Sequence, residues 1–304
     1  MRNQSAVSTP GGRRRPKLTN ESRDAVVLLA PLLVLLVAFI LAPVLSNFYY
    51  ALTKWKGFGT PEFVGLDNFR RLFRDENFWE ALGNTFVLLI YVPFITAVPL
   101  LLAALLREGL KGWTFFRAIL FLPNVLGFVI LGMPVNLVHR ALGPLNPVLR
   151  AMGLGGLAVN WLGESTPALH ALGLVNVLER MGFGAIYFLA SMAGIDENLY
   201  AAAKVDGAGW WATFWNVTVP SIRFAVEFWI VLGFIRIFAR LFGFIFTLTG
   251  GGPGYSTVTL EYGIYLKGFE NFQMGYASAW AVVLFVLCGL ISIAQVHLIR
   301  RRST

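Results

Sequence analysis

Reactive side chains are scarce in this 304-residue chain: one cysteine, three histidines, and charged residues at only 13%. A lone Cys288 excludes a disulfide framework and any CxxC redox or metal site, and His139, His170 and His297 are too scattered to form an HExxH pair. Neither a metal nor a cofactor is expected. The G-x-x-x-x-G-K-[ST] phosphate loop, the G-x-S-x-G elbow and a dinucleotide fingerprint on a strand are also missing, so the chain holds no nucleotide-hydrolysing or acyl-transfer machinery of its own. What it does have is apolar surface. Apolar residues make up 57%, with 26 phenylalanines and a mean hydropathy of +0.66. That composition suits a bilayer rather than water.

Apolar runs of about 20 residues cross a hydrocarbon core of about 30 Å, and four are clear: Ala25–Leu45, Thr85–Leu106, Ala118–Val138 and Gly275–Ile299. Two more, Ala168–Ala190 and Phe224–Phe246, are interrupted by Glu179 and Arg180 and by Glu227, Arg236 and Arg240. Together they predict an all-α polytopic membrane protein with six transmembrane helices. The first run follows Arg13, Arg14, Arg15 and Lys17 but is longer than a signal-peptide core and has no small-x-small cleavage site, so it reads as a retained anchor. With the N-terminus inside, the cytoplasmic segments hold 14 lysines and arginines against 8 outside, the bias expected of inner loops. The predicted organisation is a basic cytoplasmic tail (1–24), a membrane domain (25–299) with an inner loop over 191–224, and a short cytoplasmic tail (300–304) in the cytoplasmic membrane. The net charge of +9 is then largely a matter of topology, and nucleic acid drops out as a partner.

The outer segment 49–81, with Trp55 and Phe63–Phe69, reads as an interfacial helix or ordered loop, and the stretch from His139 to Ser165 as a breaker-rich loop without chemistry. The run Thr249–Gly254 (TGGGPG) has the glycines of a phosphate cradle but not the lysine and hydroxyl that must follow, so it is expected to be a flexible turn.

The longest inner loop is more distinctive. Asp196 can cap a short helix through Tyr200, Ala201, Ala202 and Ala203, Asp206 and Gly207 form a turn into Ala208, and an aromatic helix with Trp210, Trp211, Phe214 and Trp215 runs up to Pro220. Small side chains allow a partner backbone close approach, and the aromatics can fix the element to the membrane helices. This pattern suits docking.

The same loop resembles the cytoplasmic coupling motif of bacterial binding-protein-dependent ABC importers, whose permeases carry an E-A-A segment, a D-G-A turn and a downstream L-P. The matching residues are Ala201–Ala203, Asp206–Ala208, Val219 and Pro220. The chain is also similar to the sugar-permease branch of that family (the maltose and glycerol-phosphate type) through Val64–Phe69, Asn84, Thr85, Phe121–Pro123, Thr249–Gly254 and Phe272–Ala277. Ala201 stands at the family's glutamate and Phe224 at a usual proline; an ion pair made by that glutamate would here be replaced by packing. The resemblance implies the type I ABC importer permease fold, a second permease subunit forming a heterodimer, two cytoplasmic ATPase subunits and an extracytoplasmic solute-binding protein. The chain would then be a transport subunit rather than an enzyme, moving a sugar by alternating access.

An ionisable group at the bilayer centre costs on the order of 2.5–3.5 kcal/mol on insertion scales, so Glu179, Arg180, Arg236 and Arg240 should face protein or water. Glu179 and Arg236 fall at similar depth and are expected to pair between the two helices flanking the inner loop. Arg240 is expected one turn beyond Arg236 on the same face, and Glu227 to pair with Arg223. Arg236 or Arg240 lining a solute path is an alternative, as is an ion-coupled secondary transporter that uses Glu179 and Arg236 as a relay. A membrane enzyme is disfavoured by the lack of clustered His or acidic residues on the loops.

Overall fold

The computed structural model describes residues 20–109, 115, 119–124, 132, 135–136, 138 and 143–303. Most of the expected span Ala118–Val138 and most of the basic tail lie outside the described residues. The chain divides into two units, Met1–Asn47 and Phe48–Thr304.

The first unit is helical: α1 (Asn20–Leu36), a π turn (Val37–Leu41) and the start of α2 (Ala42–Tyr50). Large apolar side chains project all round it, with Leu28 80% and Phe39 74% exposed. A helix apolar on every side and long enough to cross a bilayer belongs in lipid. Its π turn has a local cause. Pro43 has no N–H to donate and its ring crowds the preceding turn, so the bond closes instead from Ala42 N–H to the Val37 carbonyl.

In the second unit a two-residue hairpin, β1 (Thr53–Lys54) against β2 (Glu62–Phe63), and the short helix α3 (Asp67–Leu72) precede a long helical rod. The rod comprises α4 (Glu76–Leu88), a 3-10 turn (Leu89–Tyr91) and α5 (Val92–Arg107). Asp75 caps it by accepting from Asn77 N–H at 3.0 Å, so helix begins well before the expected Thr85. After α6 (Leu145–Ala151) comes α7 (Ser165–Met192), the main partner of α5. Glycines bring these helices together: a methyl on Gly173 would strike the Tyr91 ring, and one on Gly184 would meet Pro99 and Trp229 at 2.7 Å. Small residues at helix crossings are how membrane helices gain packing when lipid is as apolar as the partner.

The remaining helices are α8 (Glu197–Val205), α9 (Trp210–Thr213), α10 (Val219–Ser221), α11 (Arg223–Ala239), α12 (Phe242–Leu248), α13 (Leu260–Tyr265) and α14 (Met274–Ser303). Four helical stretches among the described residues are long and apolar enough to cross a membrane, or five if α11 and α12, bent by 49°, count as one span. The bend has an identifiable cause. The Glu261 carboxylate on α13 accepts from Leu241 N–H at 2.8 Å and Phe242 N–H at 3.0 Å, which satisfies the start of α12 away from the axis of α11. One buried cluster, with Phe78, Ile95, Phe238, Phe244 and Trp280, fills the end near the hairpin. A second, with Phe188, Met192, Phe214 and Trp229, lies under the 193–222 segment.

One loop expectation is corrected and another is resolved. The segment after Thr249 is not a flexible turn: Asn84 Nδ2 donates to the Tyr255 and Val258 carbonyls at 3.1 and 3.0 Å, and Thr257 Oγ1 donates to the Gly252 carbonyl at 2.8 Å. Its glycines serve close packing, since Gly251, at φ +90°, lies against Val258 and Tyr262. The 49–81 segment is an ordered loop, one of the two forms expected, part hairpin and part short helix, in which Asn68 Nδ2 ties the chain back to the Ala51 and Thr53 carbonyls at 2.9 and 2.8 Å.

Candidate functional site

The 193–222 segment is a helix-turn-helix whose ends close on themselves. Asp196 Oδ1 accepts from Asn198 N–H at 2.9 Å and caps α8. At the other end Gly207 N–H donates to the Lys204 carbonyl at 3.2 Å and Ala208 N–H to the Ala203 carbonyl at 2.9 Å. This is a Schellman close, which requires a left-handed residue after the cap; Gly207 supplies it at φ +75°. The chain then enters α9, a π turn (Phe214–Thr218) and α10. Pro220 follows this π turn at the same spacing as Pro43 follows the first, for the same reason: Val219 N–H reaches back to the Phe214 carbonyl.

One side of this element is anchored. Arg107, at the end of α5, places its guanidinium 3.6 Å over the Tyr200 ring and pairs with Glu197 at 2.6 Å. The Tyr200 hydroxyl lies 3.0 Å from Thr218 Oγ1, and Trp210 stacks on buried Phe214 at 5.4 Å with an interplanar angle of 4°. The other side is open: Ala201, Ala202, Asp206, Gly207 and Pro220 are exposed, Ala203 and Ala208 half-buried, and Val205 is 88% exposed. Arg107 and Thr218 escaped the sequence reading, though Arg107 was visible as the cation ending an apolar span.

The four charged candidates separate. Arg236 Nη2 meets Glu179 Oε2 at 2.5 Å and Arg236 Nε donates to Asn176 Oδ1 at 2.9 Å, all three residues being buried. The pair joins the middle of α7 to the last turn of α11. Arg180 turns aside to lie 4.3 Å over the Trp229 ring, a cation–π contact that replaces hydration. Arg240 does not continue the face of Arg236: the helix stops at Ala239, and Arg240, at φ −145°, is exposed at the bend. The physical reason is the competing carboxylate of Glu261, which recruits the next two N–H groups and starts a new helix. Arg223 and Glu227 are 2.7 Å apart. His170 Nδ1 lies 2.8 Å from the Tyr91 hydroxyl.

At the opposite end of the bundle, Asp75 accepts from the Tyr276 hydroxyl at 2.7 Å and has Lys267 Nζ at 3.4 Å. Burial alone would raise its carboxyl pKa. The Tyr276 hydrogen bond, the Lys267 ammonium and the Asn77 N–H outweigh that and hold it below the ordinary value of 3.8.

Comparison with known proteins bears on this arrangement. The diacetylchitobiose uptake system permease NgcF of Streptomyces coelicolor is 35% identical over 96% of this chain and 86% of its own length. The chain belongs to the sugar ABC transporter permeases. The multiple sugar-binding transport system permease MsmF of Streptococcus mutans is 32% identical over 94% of this permease and 98% of its own length. No family model matches the chain. Among solved structures, a bacterial alginate ABC transporter in complex with an alginate pentasaccharide-bound periplasmic protein matches with a TM-score of 0.79 at 24% identity, covering 93% of this permease and 96% of that chain. The fold is that of an ABC importer permease, and the helical architecture anticipated for that family is present. Membership of this family sets aside the ion-coupled transporter.

Proposed function

We propose that this permease is one transmembrane subunit of a binding-protein-dependent importer that moves a carbohydrate across the cytoplasmic membrane by alternating access, powered by ATPase subunits on separate chains. The observation that carries the reading is the two-sided character of the 193–222 segment. Its own caps satisfy its backbone and Arg107, Tyr200 and Phe214 clamp it from beneath, while Leu199, Ala201, Ala202 and Val205 face away from the bundle. A small, apolar, preorganised knob loses little entropy on docking. Ala201 at the family's glutamate position makes this contact one of packing rather than of ion pairing.

Force applied to α8 has two routes into the bundle, through Arg107 to α5 and through Tyr200 and Thr218 to the start of α11. Glu179 and Arg236 tie α7 to α11, so the two helices on either side of the loop move as a unit when the ATPases close. The sugar assignment follows from relatives that carry sugars, and from an alginate importer of like fold bearing a saccharide-loaded periplasmic protein. A periplasmic solute-binding protein and a second permease subunit complete the assembly, with both termini of this chain in the cytoplasm.

Uptake by proteoliposomes containing the whole assembly tests this. Loss of uptake when the phosphate-binding lysine of the ATPase is replaced, together with crosslinking of Ala202→Cys to that ATPase, is the expected outcome. Uptake by this chain without an ATPase would overturn the proposal.

A further inference from the structure

At the end of the bundle opposite the 193–222 segment, a cavity of 620 Å³ opens between the β1–β2 hairpin, α3 and the turn into α14. It brings together two motifs that the coupling role leaves unused, Val64–Phe69 and Phe272–Ala277. Gly275 makes the junction: its N–H donates to the Trp55 carbonyl at 3.0 Å, and a methyl there would strike the Thr53 carbonyl. The pocket is therefore walled by backbone held in place, not by a loose loop.

Its lining is one-signed. Lys54, Lys56 and Arg71 contribute three cations, and among the described residues no aspartate or glutamate lines it. Lys54 stands opposite Glu62 in the hairpin register, yet none of the three cations is in an ion pair among the described residues. Arg71 instead lies 4.1 Å over the Tyr276 ring. Five lysines and arginines fall in 49–81, a concentration that runs against the charge bias of an outer loop. The walls include Trp55, stacked on Tyr50 at 4.3 Å, and Phe272, the one non-glycine residue at positive φ (+51°) among the described residues. A strained backbone that sets a ring at a cavity rim is a pointer to binding.

We propose that this cavity binds an organic anion, its phosphate or carboxylate held by Lys54, Lys56 and Arg71. A phosphorylated or acidic sugar and the glycerophosphate headgroup of a lipid share that chemistry. The proposal extends beyond the import reading and is tested by binding, so it stands or falls separately from uptake.

The full-length protein is placed in phosphatidylcholine nanodiscs and titrated calorimetrically with glucose 6-phosphate and with glucose. In parallel, native mass spectrometry reads retention of phosphatidylglycerol against phosphatidylcholine from mixed nanodiscs. The expected result is that at least one anionic probe is preferred over its uncharged or zwitterionic counterpart by tenfold or more. That preference is expected to fall about tenfold in K56Q/R71Q. Preference for glucose 6-phosphate alone assigns a soluble solute, and preference for phosphatidylglycerol alone assigns a lipid; either supports the proposal. Equal binding of charged and uncharged probes, no binding of either anion, or a preference unchanged in K56Q/R71Q overturns it. Should K56Q/R71Q aggregate, K54Q/K56Q, which changes only exposed side chains, replaces it and is held to the same expected loss of preference.

Discussion

Two chain reversals, Ala193–Ile222 and Thr249–Thr259, solve the same backbone problem and use their side chains in opposite ways. The first closes with an aspartate cap and a Schellman turn and turns Val205 outward at 88% exposure. The second buries Thr257, Val258 and Thr259 almost completely and, beside bonds of its own such as Thr257 Oγ1 to the Gly252 carbonyl, is tied to Asn84 and Thr85 on α4. A segment that satisfies its own polar groups keeps its surface free for another molecule. A segment satisfied by a neighbouring helix has become part of the wall. Glycine richness does not distinguish them; the partner of each hydrogen bond does.

The largest effect is expected at the tie between the helices from which the first reversal hangs. Glu179→Leu leaves Arg236 buried without its carboxylate partner and should cost about 3–5 kcal/mol, read as a lowered Tm of the purified protein. Arg236→Met in the same background should recover much of that loss, and failure to recover would show that the pair does not act as a unit. Next, Asn84→Leu removes the donor to two carbonyls of the second reversal and should cost about 2 kcal/mol; a smaller loss would weaken the contrast drawn above.

Gly207→Pro imposes φ near −65° where the chain needs +75°. It should lower stability by about 1–3 kcal/mol while leaving ATP hydrolysis by the assembled complex uncoupled from uptake; normal uptake would remove the case for the first reversal as a contact. Val205→Asp should change stability by less than about 0.5 kcal/mol yet reduce uptake tenfold or more, since no intramolecular packing is lost. The smallest effect concerns pH. Because the folded state holds the Asp75 carboxyl below its ordinary value of 3.8, its contribution is present above that value and lost as pH falls through the folded one. Asp75→Asn should lower Tm slightly at neutral pH, where that contribution is present, and leave the acid end little changed, so that the acid side of a Tm-against-pH profile is flatter.

Much of the fold was legible because length and hydropathy act locally: runs from Ala25, Thr85, Ala168 and Gly275 each contain helices long and apolar enough for a bilayer. The start of the rod at Glu76 was not, since Asp75 as its cap is one aspartate among several polar residues. The helix-turn-helix at 196–220 was legible from its cap, alanines and D-G turn, all signals within a few residues of one another. Arg240 was misplaced because helix periodicity runs on in a sequence until something stops it, and what stops it is Glu261, some twenty residues away in the chain. The glycine run after Thr249 read as mobile because its restraint, Asn84, lies on another helix.

What the amino-acid sequence determined alone was therefore the class of the molecule, four of its helices long and apolar enough for a bilayer and the shape of the 193–222 element, for each follows from hydropathy, caps and turns acting over short stretches. Only the tertiary structure decided where Arg180 and Arg240 lie, where α11 breaks, and which reversal is wall and which is surface. Those outcomes depend on side chains from distant segments competing for the same N–H and C=O groups, and no local pattern records who wins.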